Sequence, residues 1–317
     1  MDDSGFPERK RYSRREILAL GGAIAAAAAL PRAAAAGPVM TRPIPRTGER
    51  LPVVGLGTAI VFDVGADAAR RAVQSAVIAA LVAGGARVID TAPSYGTAES
   101  VVGELVAALG MRDRIFLATK VRVAPRAAAT AEMHASLRRL KTDRIDLMQI
   151  HNASADLGAM ADQLALLREW QARGVFRYVG VTHSRESANE RLVALVEREK
   201  LDFVQLNYSL GERGVEARLL PAAAATGTAV LVNLPFGRGR LFSAVRGRAL
   251  PQWAAEFDAA SWAQFFLKYL LANEAVTCVI PGMDKPEYVA DNLGAARGRL
   301  PDAAQRRKMV EFWESLR

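Results

Sequence analysis

Four residues of this sequence have side chains suited to moving a proton at neutral pH. They are Asp90 and Tyr95 in VIDTAPSYG (88–96), Lys120 closing IFLATK (115–120) and His151 closing IDLMQIH (145–151). A carboxylate at the end of an apolar run must meet a cation or water, because burying it alone costs several kcal/mol. A phenol, with an ordinary pKa of about 10, is a poor proton donor at neutral pH, but a neighbouring ammonium stabilises the phenolate and lowers that value. If the fold brings the four together, Asp90 anchors Lys120, Lys120 tunes Tyr95, and the turn through Pro93 lifts the phenol above the strand ends. Taken singly, Asp90 reads as a helix-capping acid, Lys120 as a solvated strand end and His151 as a core histidine, so convergence has to come from the elements that carry them.

From Leu51 onward, short β-branched apolar runs alternate with longer amphipathic stretches. The runs are VVGLGT (53–58), RVID (87–90), IFLATK (115–120), IDLMQIH (145–151), YVGVTH (178–183), FVQLNY (203–208), AVLVN (229–233) and VTCVIPG (276–282). Between them, stretches such as DAARRAVQSAVIAALVAGG, ESANERLVALVEREK and SWAQFFLKYLLANE have helical periodicity, with acids or Ser near their starts. Such alternation implies parallel β/α units with buried strands. Eight units within residues 37–317 fit an α/β fold of the closed (β/α)₈ TIM-barrel type better than an open sheet. Asp90, Lys120, His151, Thr182, His183, Gln205 and Asn233 all fall at or near the ends of successive strands. In a barrel those ends converge on the face that carries the chemistry. RPIPRTGERLPVV, ahead of the first strand, reads as a hairpin around Thr47-Gly48 that plugs the opposite end. A Rossmann reading of GLGTAI fails, because Ile60 stands where the third glycine should be and no helix follows directly.

Composition narrows the function classes. The chain of 317 residues is 51% hydrophobic, 7% aromatic and 24% charged, which suffices for a large core. A formal charge of +9 invites a nucleic-acid reading. Its Lys and Arg are scattered rather than clustered with aromatics, so no nucleic-acid partner is expected. One cysteine, Cys278, excludes an internal disulfide, and with only His134, His151 and His183 no Cys/His metal centre is expected. Cys278 reads as a buried apolar filler, His134 as a helix-surface residue, and Trp262, Phe265, Phe266 and Tyr269 at helical spacing as core. After residue 37 no linker or repeat is visible, so the remainder is one domain, with monomer as the default state.

Residues 1–36 are of another kind. Ser13 and the pair Arg14-Arg15 precede a weakly apolar stretch from Ile17 to Leu30, which includes Leu18, and small residues ending Ala34-Ala35-Ala36. That order of charge, apolar core and A-x-A end is a secretory signal whose core is too short to span a bilayer, so no stable membrane association is expected. S-R-R-x-x-L resembles a twin-arginine signal, which makes the export machinery a partner and the periplasm the expected location. The alternative is a cytoplasmic protein, with the signal unused or translation starting at Met40.

The blocks DTAPSYG, ATK, DLMQIH, YVGVTH, FVQLNY, PFGRGRL and VIPGMDKPEYVADNLGA, in this order over essentially the whole of residues 37–317, resemble the signature blocks of the aldo-keto reductase superfamily. The resemblance implies that Tyr95 is the general acid for a carbonyl oxygen as hydride arrives from a nicotinamide cofactor, with Lys120 and Asp90 in support and His151 orienting the carbonyl. It places the nicotinamide amide on Thr182, His183 and Gln205, and Asn233 where many members stack an aromatic ring. The pyrophosphate would run along Gly237, Arg238, Gly239, Arg240 and Leu241. The adenosine end would meet Gly282, Asp284, Lys285, Tyr288, Asp291 and Asn292. Ala59 stands where many members carry Trp, which widens the substrate pocket, to which Asn152 also belongs; with Asn233 polar, another ring such as Phe236 must supply any stacking. Gly282 and Tyr288 stand where NADPH-preferring members often place Lys or Arg, and Asp284 adds a negative charge, whereas Lys285, Arg238 and Arg240 pull the other way. The family habit favours NADPH, with NADH the alternative. The implied activity is reduction of a small-molecule carbonyl (an aldehyde, ketone or sugar) to an alcohol without a metal; the alternative is a redox-sensing subunit that binds cofactor with little turnover.

Overall fold

The computed structural model describes residues 37–316, and the signal-sequence reading of residues 1–36 falls outside them. Eight parallel strands follow one another round a single sheet in chain order. They are β3 (Leu56–Gly57), β4 (Val88–Asp90), β5 (Phe116–Arg122), β6 (Ile145–His151), β7 (Phe176–His183), β8 (Phe203–Asn207), β9 (Ala229–Asn233) and β10 (Cys278–Val279). Parallel bridges from Val54 to Val279 and from Gly57 to Gly282 join the last strand to the first and close the barrel. All eight expected strands are present. The first and last pair over shorter spans than the sequence suggests, since Pro281 has no N–H for the ladder and offers only its carbonyl, to Gly57 N at 2.9 Å. A side chain at Gly57 would not fit there, because its Cβ would lie 2.6 Å from the Ile280 carbonyl oxygen.

Helices cover the outside: α1 (Ala68–Ala83), α2 (Ala98–Ala108), α3 (Arg126–Arg139), α4 (Leu157–Ala172), α5 (Asn189–Arg198), α6 (Leu219–Thr226), α7 (Arg240–Ala244), α8 (Trp262–Leu271), α9 (Pro286–Gly294) and α10 (Ala303–Glu314). Their starts follow from local chemistry. Asp67, Asp156 and Ser261 accept from the backbone N–H groups of Arg70, Ala159 and Gln264, and Asp302 with Gln305 forms a reciprocal capping box. The short α7 and a 3₁₀ turn at Gln252–Phe257 fill the long connection after β9.

β1 (Thr41–Pro43) pairs antiparallel with β2 (Arg50–Pro52) through a turn in which Gly48 has φ 74°. This is the expected hairpin. Its Ile44 and Leu51 pack with Val88, Phe116, Leu147, Tyr178, Phe203 and Cys278 inside the barrel, closing the end away from the strand C-termini. Strand side chains alternate between faces. The inward positions therefore run from an apolar layer at the plugged end to a polar layer at the other, where Asp90, Lys120, Gln149, Thr182 and Gln205 are all buried.

Candidate active site

The polar layer is one hydrogen-bonded unit. Lys120 Nζ donates to Asp90 Oδ2 at 2.7 Å and to the Thr91 carbonyl at 2.8 Å. The other Asp90 oxygen, Oδ1, accepts from Gln205 Nε2 at 2.8 Å and from Gln149 Nε2 at 3.3 Å, while Thr182 Oγ1 donates to Gln205 Oε1 at 3.0 Å. Burial alone would lower the Lys120 pKa; the adjoining Asp90 carboxylate, and after it Tyr95, outweigh that and raise it, so the ammonium is held charged. Its Nζ lies 5.0 Å from the centroid of the Tyr95 ring. Asp90, Lys120 and Tyr95 thus meet as the spacing suggests.

Tyr95 and His151 stand above this floor with rings edge to face, centroids 5.9 Å apart. Burial first, then the charges of Lys120, Arg122 and His183, lower the His151 pKa to about 3. The imidazole is therefore neutral at physiological pH. Its Nδ1 faces Ser94 Oγ at 3.4 Å. Asp63, from the loop after β3, fixes the turn that carries the phenol: its carboxylate accepts from Thr97 N at 2.9 Å and Thr97 Oγ1 at 2.8 Å. It sits where a Cβ on Gly96 would have to go, and Gly96 has φ 60°.

These groups line a cavity of about 770 Å³ together with Gly57, Ala59, Ile60, Asn152, Thr182, Gln205, Asn233, Phe236, Arg238, Gly239 and Gly282. Asn233 Oδ1 is buried there without a hydrogen-bond partner among the described residues. Strain collects at the rim. Six non-glycine residues have positive φ among the described residues, and four of them, Ile60, Asn152, Leu234 and Arg238, line the cavity. Gly237 and Gly239, either side of Arg238, are also left-handed.

The remaining sequence-derived positions are distributed as follows. His183 ends β7 with its Nδ1 accepting from Arg185 N at 3.1 Å, and burial, then Arg191 and Arg185, lower its pKa. Arg240 pairs with Glu212, and Leu241 is buried. Asp284, Lys285 and Tyr288 are exposed, with Lys285 Nζ 5.5 Å from the Tyr288 ring centroid. Asp291 holds the start of α8, accepting from Ser261 Oγ at 2.9 Å and Gln264 Nε2 at 2.8 Å, and Asn292 is buried.

A model of the aldo/keto reductase family matches residues 53–309. The chain belongs to the aldo/keto reductase family. The methylglyoxal reductase YeaE of Escherichia coli (strain K12) is 32% identical over 258 residues, which is 80% of this chain and 88% of that protein. An aldo-keto reductase of Mycobacterium avium (strain 104) is 33% identical over 248 residues, 77% of this chain and 80% of that one. Among solved structures, an aldo/keto reductase from Klebsiella pneumoniae in complex with NADP and acetate has a TM-score of 0.72 at 27% identity, covering 84% of this chain and 93% of that chain. An aldo-keto reductase from the same organism in complex with NADPH has a TM-score of 0.73 at 26% identity, covering 87% and 95%.

Within this member of the aldo/keto reductase family, several site residues are missed by motif reading. Gln149 is one, although the period-two face of IDLMQIH already aligns it with His151. Ser94, Asp63 and the strained Ile60 and Leu234 carry no sequence signal, since their roles depend on loop geometry. Cys278 is buried in the barrel interior, and exposed His134 packs 4.8 Å from the Trp170 ring.

Proposed function

We propose that this chain is a NAD(P)H-dependent reductase of small aldehydes, ketones or sugars in which Tyr95 is the general acid. The reading rests on one observation: Tyr95 and a neutral His151 share a cavity directly above a buried, charge-paired Lys120. A nicotinamide cofactor supplies hydride to the carbonyl carbon when bound. The residues present fit that group, since the buried Asn233 Oδ1 lacks a donor and an amide N–H would satisfy it. Thr182, His183, Gln205 and Asn233 would hold the nicotinamide end, residues 237–241 the pyrophosphate, and Gly282, Asp284, Lys285, Tyr288, Asp291 and Asn292 the adenosine end. Phe236, which lines the cavity, stands in for the stacking ring that Asn233 replaces.

Tyr95 gives its proton to the carbonyl oxygen, and the phenolate left behind faces the Lys120 ammonium, which Asp90 and the Thr91 carbonyl hold in place. His151 cannot be the acid, because with a pKa of about 3 it has no proton to spare at neutral pH; it orients the carbonyl by donating a hydrogen bond. NADPH is the proposed cofactor, in line with the Klebsiella structures. The name of the Escherichia coli relative makes 2-oxoaldehydes the first substrates to try.

The test is NADPH and NADH oxidation by the purified protein against 2-oxoaldehydes, aromatic aldehydes, diketones and aldoses. Tyr95→Phe should lower kcat by about 10² to 10⁴-fold while cofactor binding and folding persist. Full activity in Tyr95→Phe overturns the assignment. Tight cofactor binding with no turnover of any carbonyl favours the redox-sensing reading instead. We further propose twin-arginine export of a monomeric domain spanning residues 37–317, on the strength of Arg14 and Arg15; periplasmic fractionation of wild type against Arg14→Lys/Arg15→Lys tests this, and no change in location rejects it.

A further inference from the structure

A second chamber of about 590 Å³ opens beside the catalytic cavity and shares Asn152, Ser184, Leu234 and Arg238 with it. Its other walls are His183, Arg185, Asn207, Glu212 and Arg240. One acid lies among these residues, and it is committed: Glu212 pairs with Arg240 and accepts from Asn207 Nδ2. Two cations are not. The side chains of Arg185 and Arg238 make no ion pair or hydrogen bond with any described residue, although fifteen of the sixteen ion pairs among the described residues engage other arginines. Arg238 is already placed on the cofactor pyrophosphate, which leaves Arg185. Just behind the wall, half-buried Arg191 donates to the Ala153 carbonyl at 2.7 Å and likewise has no acid partner among the described residues. His183 adds a neutral donor, because Nδ1 accepts the Arg185 N–H and the proton is left on Nε2.

An annex with uncommitted guanidinium groups, hydroxyl and amide donors and no free carboxylate is built for an anion. Its position says whose. The cofactor placed above shares His183, Arg238 and Arg240 with the annex, whereas Arg185, Asn207 and Glu212 fall outside every position assigned to it. The annex opens instead beyond His183, at the ends of β6 to β9. Resting on the carbonyl-reductase reading, we propose that the annex is a substrate subsite that binds a carboxylate or phosphate of the carbonyl compound, with Arg185 as its specificity-determining residue. The preferred substrates are then acidic carbonyl compounds such as oxo acids, semialdehyde acids and phosphorylated aldehydes, and the reaction that supplies them must leave an anionic group beside a free carbonyl.

The experiment compares 4-carboxybenzaldehyde with its methyl ester, which has the same aldehyde without the charge, using the full chain and NADPH. In the wild type kcat/KM should favour the acid by at least about tenfold, and Arg185→Gln should reduce that ratio by about 10- to 100-fold, chiefly through KM, as expected for one charge-assisted hydrogen-bonded pair. Equal kcat/KM for acid and ester in the wild type overturns the proposal. A weaker NADPH affinity in Arg185→Gln with an unchanged acid-to-ester ratio also overturns it, because the anion would then be a cofactor phosphate. Terephthalate, a dianion that cannot be reduced, separates this failure from failure of the reductase reading. Its binding by calorimetry should be lost in Arg185→Gln even if no carbonyl turns over, and equal binding in both proteins counts against the subsite.

Discussion

The two ends of the barrel solve the same problem, burying charge, in opposite ways. At the plugged end Glu49 accepts from Arg87, Arg177 and the Tyr178 hydroxyl, while Asp146 accepts from Arg112, Arg177 and Leu117 N. Acids there are shared among several cations, and the hairpin turn has glycine, Gly48, where the backbone is left-handed. At the open end one acid and one lysine are sealed under a cavity, Thr91 Oγ1, Gln149 Oε1, Asn207 Oδ1 and Asn233 Oδ1 are buried without partners among the described residues, and a β-branched residue, Ile60, takes φ 70°. Unpaired buried groups and strained backbone are costly, and they persist at sites where a ligand uses them. The difference separates a stability end from a chemistry end, as barrels of this type do.

The largest effect should come from splitting the sealed pair. Asp90→Ala or Lys120→Met leaves one buried charge alone and should destabilise the fold by about 3–5 kcal/mol, with reductase activity lost. The double variant Asp90→Asn/Lys120→Met should recover much of the stability and none of the activity. At the plugged end Glu49→Gln should lower stability by about 1 kcal/mol and leave kcat unchanged. Urea unfolding and steady-state rates on the same preparations check both halves. Equal losses of stability at the two ends would erase the contrast.

Acid should separate the ends by pH window. The folded pKa of His151 is about 3 against an unfolded value near 6.5, so the unfolded chain binds the proton first. Stability therefore rises with pH from about 3 to 6.5 and is level above; acidification from pH 6.5 erodes it by as much as a few kcal/mol by pH 3. Burial would raise the Glu49 pKa, but its bonds from Tyr178, Arg87 and Arg177 prevail and lower it. Its contribution is present above its unfolded pKa of about 4.5 and lost below that, as pH falls toward the folded value. His151→Gln should flatten the stability profile between pH 4.5 and 6.5, where Glu49→Gln should have little effect. A wild-type slope that survives in His151→Gln would assign that window to other groups.

Much of the barrel was legible because periodicity and strand-end chemistry are local. Eight apolar runs, the capping residues and the hairpin around Gly48 each announce themselves within a few positions, and Asp90, Lys120 and His151 follow once the strands converge. What was not legible depends on loop conformation or on distant contacts. Gln149 matters only because β6 sits in register with β5, Asp63 because its loop folds back over Gly96, and Arg185 because its side chain is left without a partner among the described residues. Adenosine-side residues were assigned by motif, yet Asp291 already serves the start of α8. Asp63 offers a graded check on this distinction: Asp63→Ala frees the Tyr95 turn and should lower kcat by about tenfold, with cofactor Kd unchanged. An unaltered kcat would mean that the turn holds itself.

The smallest effect concerns Ile60. At 78% exposure it buries little, so its side chain contributes almost nothing to the core, while φ 70° places a β-branched residue where its Cβ crowds the backbone. Asn tolerates the left-handed region far better than Ile, and its short side chain can bond locally. Ile60→Asn should therefore raise stability by about 1 kcal/mol, seen as a small increase in Tm. At the plugged end the equivalent strain is already relieved by Gly48, so Gly48→Asn should give no gain. If Ile60 is kept because its exposed side chain meets the substrate at the mouth of the cavity, the stabilised variant will show a raised KM. A gain in stability with KM unchanged would leave the strain at this position without a functional purpose.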